Sequence, residues 1–163
     1  MQHDEPAPPS SRLYPPYPLL AASIAVFRHG KVLLASRTKP PFAGVFSLPG
    51  GLVEVGETMQ EAALRELREE VAVEARIAGF NRHIETIDQD TSGRIRHHYV
   101  IASFVGIWVA GDGAPGPEAG AVVWADTEML GRLTCTPNIV SVIEAARRKL
   151  EESLPEAPDQ SHG

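Results

Sequence analysis

The residues best equipped for chemistry are the carboxylates of Glu66, Glu69 and Glu70. They lie in a segment, Thr58 to Val71, whose apolar residues recur at helical spacing. On a wheel of about 3.6 residues per turn with Glu66 at 0°, Glu70 falls at about 40° and Glu69 at about −60°, so the three acids share one face. Leu64, Leu67 and Val71 fall between about 100° and 160° and form the buried stripe. Like charges four residues apart cost roughly 0.2–0.5 kcal/mol per pair even when exposed. Arg65 is expected to pair with Glu61 and Arg68 points elsewhere, which leaves the cluster short of cations. One reading is a solvated charged face. The other is a divalent cation that supplies the missing charge. Oxygen donors of this kind suit Mg²⁺ or Mn²⁺, which keep several waters and bridge to phosphates. Just upstream, Leu48-Pro49-Gly50-Gly51 offers two glycines, where a backbone carbonyl or N–H can approach a ligand closely.

The elements that must position these groups alternate between strand and helix. Apolar runs at 21–28 and 32–37 read as strands joined by a His29-Gly30 turn. Residues 39–44 form a loop, and a short strand at 45–48 ends at the glycines. Thr58 with Glu61 three residues on has the spacing of a capping box at the start of the acidic helix. Two long strands follow at 73–87 and 94–109, with a polar turn at 89–93. A Gly/Pro loop at 112–120 leads to a strand at 121–124, a helical turn at 126–130, and a last helix from Pro137 to about Leu150. This is an α/β pattern with long antiparallel hairpins rather than a regular β-α-β alternation, which argues against a doubly wound sheet.

The chain has 163 residues and a net charge of −6, enough for one domain but too acidic for a protein that grips nucleic acid polymers by charge alone. Cys135 is the sole cysteine, which excludes an intrachain disulfide and a cysteine zinc cluster. Its thiol lacks a neighbouring base and reads as inert. The longest N-terminal apolar run, 19–27, is too short to span a bilayer, and a cytoplasmic location without membrane attachment is the expectation. Residues 1–20, with six prolines, read as a flexible tail, 21–150 as the domain, and 151–163 as a flexible acidic tail. The charge is unevenly spread. Residues 51–74 hold seven Glu and two Arg, a net of −5, while residues 21–50 hold Arg28, Lys31, Arg37 and Lys39 with no acid, a net of +4. An acidic helix beside a basic strand pair suits a cation and a small phosphorylated ligand.

Gly51-x5-Glu57-x7-Arg65-Glu66-Leu67-x-Glu69-Glu70-x-Ala72-Val73 resembles the Nudix box, G-x5-E-x7-R-E-U-x-E-E-x-G-U with U aliphatic, at eight of nine specified positions. The departure is Ala72, where the family has Gly. A left-handed residue is favoured after a helix, and Ala there costs up to about 1 kcal/mol. The resemblance implies a Nudix-type α/β/α sandwich with a mixed, largely antiparallel sheet. It implies Mg²⁺-dependent hydrolysis, with Mn²⁺ as a substitute, of the pyrophosphate bond in a nucleoside diphosphate linked to another moiety. By similarity, Glu66, Glu69, Glu70 and the Gly50 carbonyl are the metal ligands, and Glu57 and Arg65 are an orienting pair that holds the loop against the helix. The general base varies across the family. Here the candidates are Glu66 and Glu118, the latter six residues before Trp124. Arg37 resembles a phosphate-contacting position, and Gly50 and Gly51 line the substrate side. Many relatives form homodimers, although no specific interface is legible here.

The strand His98-Tyr99-Val100, the Pro117-Glu118…Trp124 segment and Thr134-x-Thr136-Pro137 resemble the ADP-ribose and nucleotide-sugar group. The rival is a nucleoside triphosphate pyrophosphatase that clears oxidised or non-standard nucleotides. A non-catalytic nucleotide sensor would usually have an eroded box, whereas every charged box residue is present here. Trp108, Trp124 and Phe104 read as core. His97 and His98 read as structural, with one of them facing solvent.

Overall fold

In a computed structural model the described residues are 12–38 and 43–154. Most of both expected tails, and the loop residues 39–42, lie outside them. Ten elements follow in order: β1 (Leu19–Arg28), β2 (Lys31–Arg37), β3 (Phe46–Ser47), β4 (Gly50–Leu52), α1 (Met59–Val71), β5 (Glu74–Gln89), β6 (Ile95–Ala110), β7 (Ala119–Ala125), α2 (Thr127–Arg132) and α3 (Ile139–Ser153). The strands form one sheet of order β3-β2-β1-β6-β5, with β4 also on β1 and β7 also on β2. The β1–β6 pairing is parallel over Leu19–Phe27, and the other strand pairings are antiparallel. A mixed, largely antiparallel sheet between helices is therefore the architecture.

β1 is apolar almost throughout because it is covered on both faces. Ala22, Ile24 and Val26 pack with Ala62, Ala63, Leu67 and Val71 of α1. Ala25 and Phe27 pack with Ile139, Val142, Ile143 and Ala146 of α3. The expected Leu64 joins the α1 side only partly buried. His29 and Gly30 both have positive φ, as a tight hairpin turn requires.

Some boundaries move. β1 begins at Leu19, and the Tyr14 N–H donates to the Arg96 carbonyl at 2.8 Å, so residues just before β1 are tied to the β5–β6 hairpin. The last helix begins at Ile139 and ends at Ser153, with Asn138 rather than Pro137 at its cap. The glycine pair, which the sequence places just past the strand at 45–48, forms β4. Two strands share one edge of β1: β4 pairs with Ala21–Ser23 and β2 with Phe27–Arg28. The two neighbours diverge from there, and the residues of interest gather around that divergence. Among the described residues no helix is long and apolar enough to cross a membrane.

Candidate active site

Local sequence sets α1 in place. The Thr58 hydroxyl accepts from the Glu61 N–H (3.1 Å), and the Glu61 carboxylate accepts from the Thr58 N–H (2.8 Å). This reciprocal cap occupies Glu61, which overturns the expected Arg65–Glu61 pair. Arg65 instead uses five N–H donors. Nε and Nη2 hold the Glu57 carboxylate bidentately at 3.0 and 2.7 Å. Nη2 also reaches the Leu52 carbonyl at 3.0 Å, and Nη1 reaches Glu66 at 2.8 Å and Glu69 at 3.2 Å. The planar fork can do this where an ammonium cannot. Its side chain is only 19% exposed. The hydrogen bond to Glu57 is the main reason its proton is held more tightly than usual. In return, Arg65 and the Glu54 N–H (2.8 Å) pull the Glu57 carboxyl down to about 2. Glu57 and Arg65 thus join the loop after β4 to the helix.

The Glu66 carboxylate lies over Gly51. A Cβ there would sit 2.5 Å from the Glu66 carboxyl carbon. At Gly50 a Cβ would run into the Ala22 carbonyl and the Ser23 backbone. Small residues on β1 and glycines on β4 let the acidic helix face lie directly on the strand.

Glu70 differs from its neighbours. It is half-buried, and its carboxylate accepts from the Gly50 N–H at 3.0 Å. Burial pushes its carboxyl up to about 7. The Gly50 N–H and Arg37 oppose that rise, while the charges of Glu66 and Glu118 add to it. Arg37, at the end of β2, and Glu118, just before β7, therefore both act on Glu70. Arg37 is paired in register with Ala119. The structure thus brings every expected site residue to one end of the sheet.

The sites are not arranged as a ready-made cation cage. Among the described residues no three His, Cys, Asp or Glu side chains converge on one point. Glu66 and Glu69 lean to Arg65, and Gly50 meets Glu70 through its N–H rather than its carbonyl. The donor chemistry nevertheless fits a hard divalent ion. The donors are all oxygen, they lie on one helix face, and they include a half-buried carboxylate whose charge is unfavourable as it stands.

Sequence reasoning missed how the loop over 111–118 is held. The sequence shows only a Gly/Pro loop at 112–120, whereas in the structure the Ala114 and Gly116 N–H groups donate to the Val71 and Glu70 carbonyls, both at 2.8 Å. They satisfy carbonyls that the end of α1 leaves without helical partners. The glycines in that loop were the available signal. At Gly116 a Cβ would meet the Glu69 carbonyl. The Thr38 N–H and hydroxyl donate to the Glu118 carbonyl at 3.3 and 3.1 Å.

Of the remaining residues, Phe104 is core, while Trp108 and Trp124 are half-buried at its margin. His97 and His98 are both half-buried, so neither is simply solvent-facing; His97 pairs with Asp88 at 2.9 Å and stacks on Tyr99. Burial raises the Cys135 thiol, as suits an inert cysteine.

A helix that carries four box charges against a double-glycine strand, inside this sandwich, defines a class. The sequence profile of the NUDIX domain matches residues 18–139. The chain belongs to the NUDIX family and is a Nudix pyrophosphohydrolase. It is 32% identical over 117 residues to ADP-ribose pyrophosphatase of Methanocaldococcus jannaschii, covering 72% of this chain and 67% of that one. It is 32% identical over 121 residues to CTP pyrophosphohydrolase of Escherichia coli, covering 72% and 83%. Its fold is similar to that of the MutT NUDIX hydrolase from Burkholderia pseudomallei, with a TM-score of 0.69 at 25% identity, covering 79% of this chain and 98% of that one.

Proposed function

We propose that this enzyme hydrolyses the pyrophosphate bond of a nucleoside diphosphate linked to another moiety, with ADP-ribose or a nucleotide sugar as the substrate class, and that it depends on Mg²⁺, for which Mn²⁺ can substitute. Glu66, Glu69, Glu70 and the Gly50 carbonyl would hold the cation. When bound, it neutralises pyrophosphate charge and makes an attacking water more acidic. Arg65, anchored by Glu57, keeps Glu66 and Glu69 in place beside β4. Arg37 contacts a phosphate oxygen. Glu118 takes a proton from water as its oxygen attacks one phosphorus. The bond from that phosphorus to the bridging oxygen breaks, and two phosphomonoesters leave. Glu118 is the base in this reading: it lies just before β7 and its charge acts on Glu70.

The observation that carries this reading is Glu70, a half-buried acid that no cation hydrogen-bonds among the described residues, on the same helix face as two further acids. The likeness to ADP-ribose pyrophosphatase supports the substrate class. The likeness to CTP pyrophosphohydrolase favours a second reading, a nucleoside triphosphate substrate. A hydrolysis panel in Mg²⁺ separates them: ADP-ribose, nucleotide sugars, dinucleoside polyphosphates, coenzyme A, CTP and oxidised dNTPs. The first two should give the highest kcat/KM. A clear preference for a triphosphate would overturn the substrate assignment, and binding without turnover of any compound would favour a sensor.

A further inference from the structure

Away from the acidic face, the far end of β1 carries an arrangement that the chemistry above does not use. The Arg28 guanidinium lies 4.1 Å from the centre of the Trp108 ring and 5.8 Å from that of Trp124. Its Nη1 donates to the Asp112 carboxylate at 2.8 Å, while its buried Nε has no hydrogen-bond partner among the described residues. Both indoles donate to neighbouring backbone carbonyls. Trp108 Nε1 donates to the Gly111 carbonyl at 2.7 Å, and Trp124 Nε1 donates to the Asp112 carbonyl at 2.8 Å. Side chains from β1, β6 and β7 therefore grip the first two residues of the 111–118 loop. Four residues on, Gly116 donates to Glu70 of α1, and Glu118 follows.

We propose that Arg28 is a positioning residue for the reaction: with Trp108, Trp124 and Asp112 it fixes the 111–118 loop on the carboxyl end of α1 and so sets Glu118 relative to Glu70. A purely packing role would not require an arginine with a buried, unpartnered Nε; an apolar side chain would cover two indoles at lower desolvation cost. What the guanidinium adds is a fixed hold on Asp112 while it lies against both rings. The proposal rests on the assignment of proton acceptance to Glu118.

The test uses the full chain with Mg²⁺ and ADP-ribose, or the best substrate from the panel. Arg28→Met keeps apolar bulk and loses the charge. Asp112→Ala removes the other half of the pair at a side chain that is 91% exposed, so it reports even if Arg28→Met does not fold. Hydrogen exchange at the Ala114 and Gly116 amides should quicken by at least about 10-fold as the loop opens locally. kcat should fall about 10-fold with KM within about twofold, and that fall should vanish when Glu118→Gln is already present. Unchanged amide exchange, unchanged kcat, or an equal loss in the Glu118→Gln background would each overturn the proposal while Glu118→Gln itself is impaired. A fully active Glu118→Gln would instead remove the underlying assignment, and the proposal with it.

Discussion

At the scale of single residues, the site is a contest for positive charge. Arg65 satisfies Glu57 fully and Glu66 and Glu69 in part, and it leaves Glu70 to one backbone N–H. The sequence supplied the shared acidic face but assigned Arg65 to Glu61, because pairing four residues back on a helix is the default. The capping box took Glu61, and the partner of Arg65 came from the loop. Arg65→Lys should therefore be severe although the charge is kept. Three donors on a point ammonium cannot serve Glu57, Glu66, Glu69 and the Leu52 carbonyl together, and kcat should drop at least about 10-fold. Steady-state kinetics check this, and a variant with wild-type kcat would show that the fork is dispensable. Glu69→Gln should lower turnover by at least about 10²-fold, comparable to the loss of one electrostatic stabiliser. Its side chain is 63% exposed, so the melting temperature should hardly move.

At the scale of elements, the decisive piece is the three-residue strand β4. Two glycines in sequence suggest a turn, and only tertiary packing shows that they are flat strand residues, made necessary by β1 beneath one and Glu66 over the other. The two positions should respond differently to the same change. Gly51→Ala presses on the end of a flexible glutamate, so activity should fall at least about 10-fold with the fold retained, whereas Gly50→Ala presses on backbone and should cost about 1–3 kcal/mol of stability. Urea denaturation beside an activity assay distinguishes them. The end of α1 was legible in advance. Ala72 adopts φ 55° and ψ 40°, the left-handed conformation for which the family uses Gly. Ala72→Gly should stabilise the protein by up to about 1 kcal/mol, since the strain of an L-residue there is relieved. The docking of the 111–118 loop was not legible, because backbone N–H groups that satisfy helix carbonyls leave no side-chain signature beyond glycine.

At the scale of the whole molecule, opposite charges are segregated along the chain and the fold brings them back together, so that Arg37 from the basic stretch acts on Glu70 from the acidic one. Two carboxylates then give the protein without cation an unusual pH dependence. Glu57 falls from 4.5 to about 2 on folding, so its contribution is present above about pH 4.5 and is lost as pH drops towards 2. Glu70 rises from 4.5 to about 7, so the folded state holds the extra proton and stability declines as pH climbs through that interval. Thermal melts should show that decline without divalent cation and its removal with Mg²⁺, which binds the ionised carboxylates. The same acids make the most direct test possible: initial rates of ADP-ribose hydrolysis against Mg²⁺ concentration, for the wild type and Glu70→Gln. A cation that completes the acidic face predicts no turnover after chelation, saturable activation by Mg²⁺, and a loss of at least about 10²-fold in the variant. Turnover that persists without divalent cation, or a Glu70→Gln enzyme with undiminished Mg²⁺-dependent activity, would contradict it.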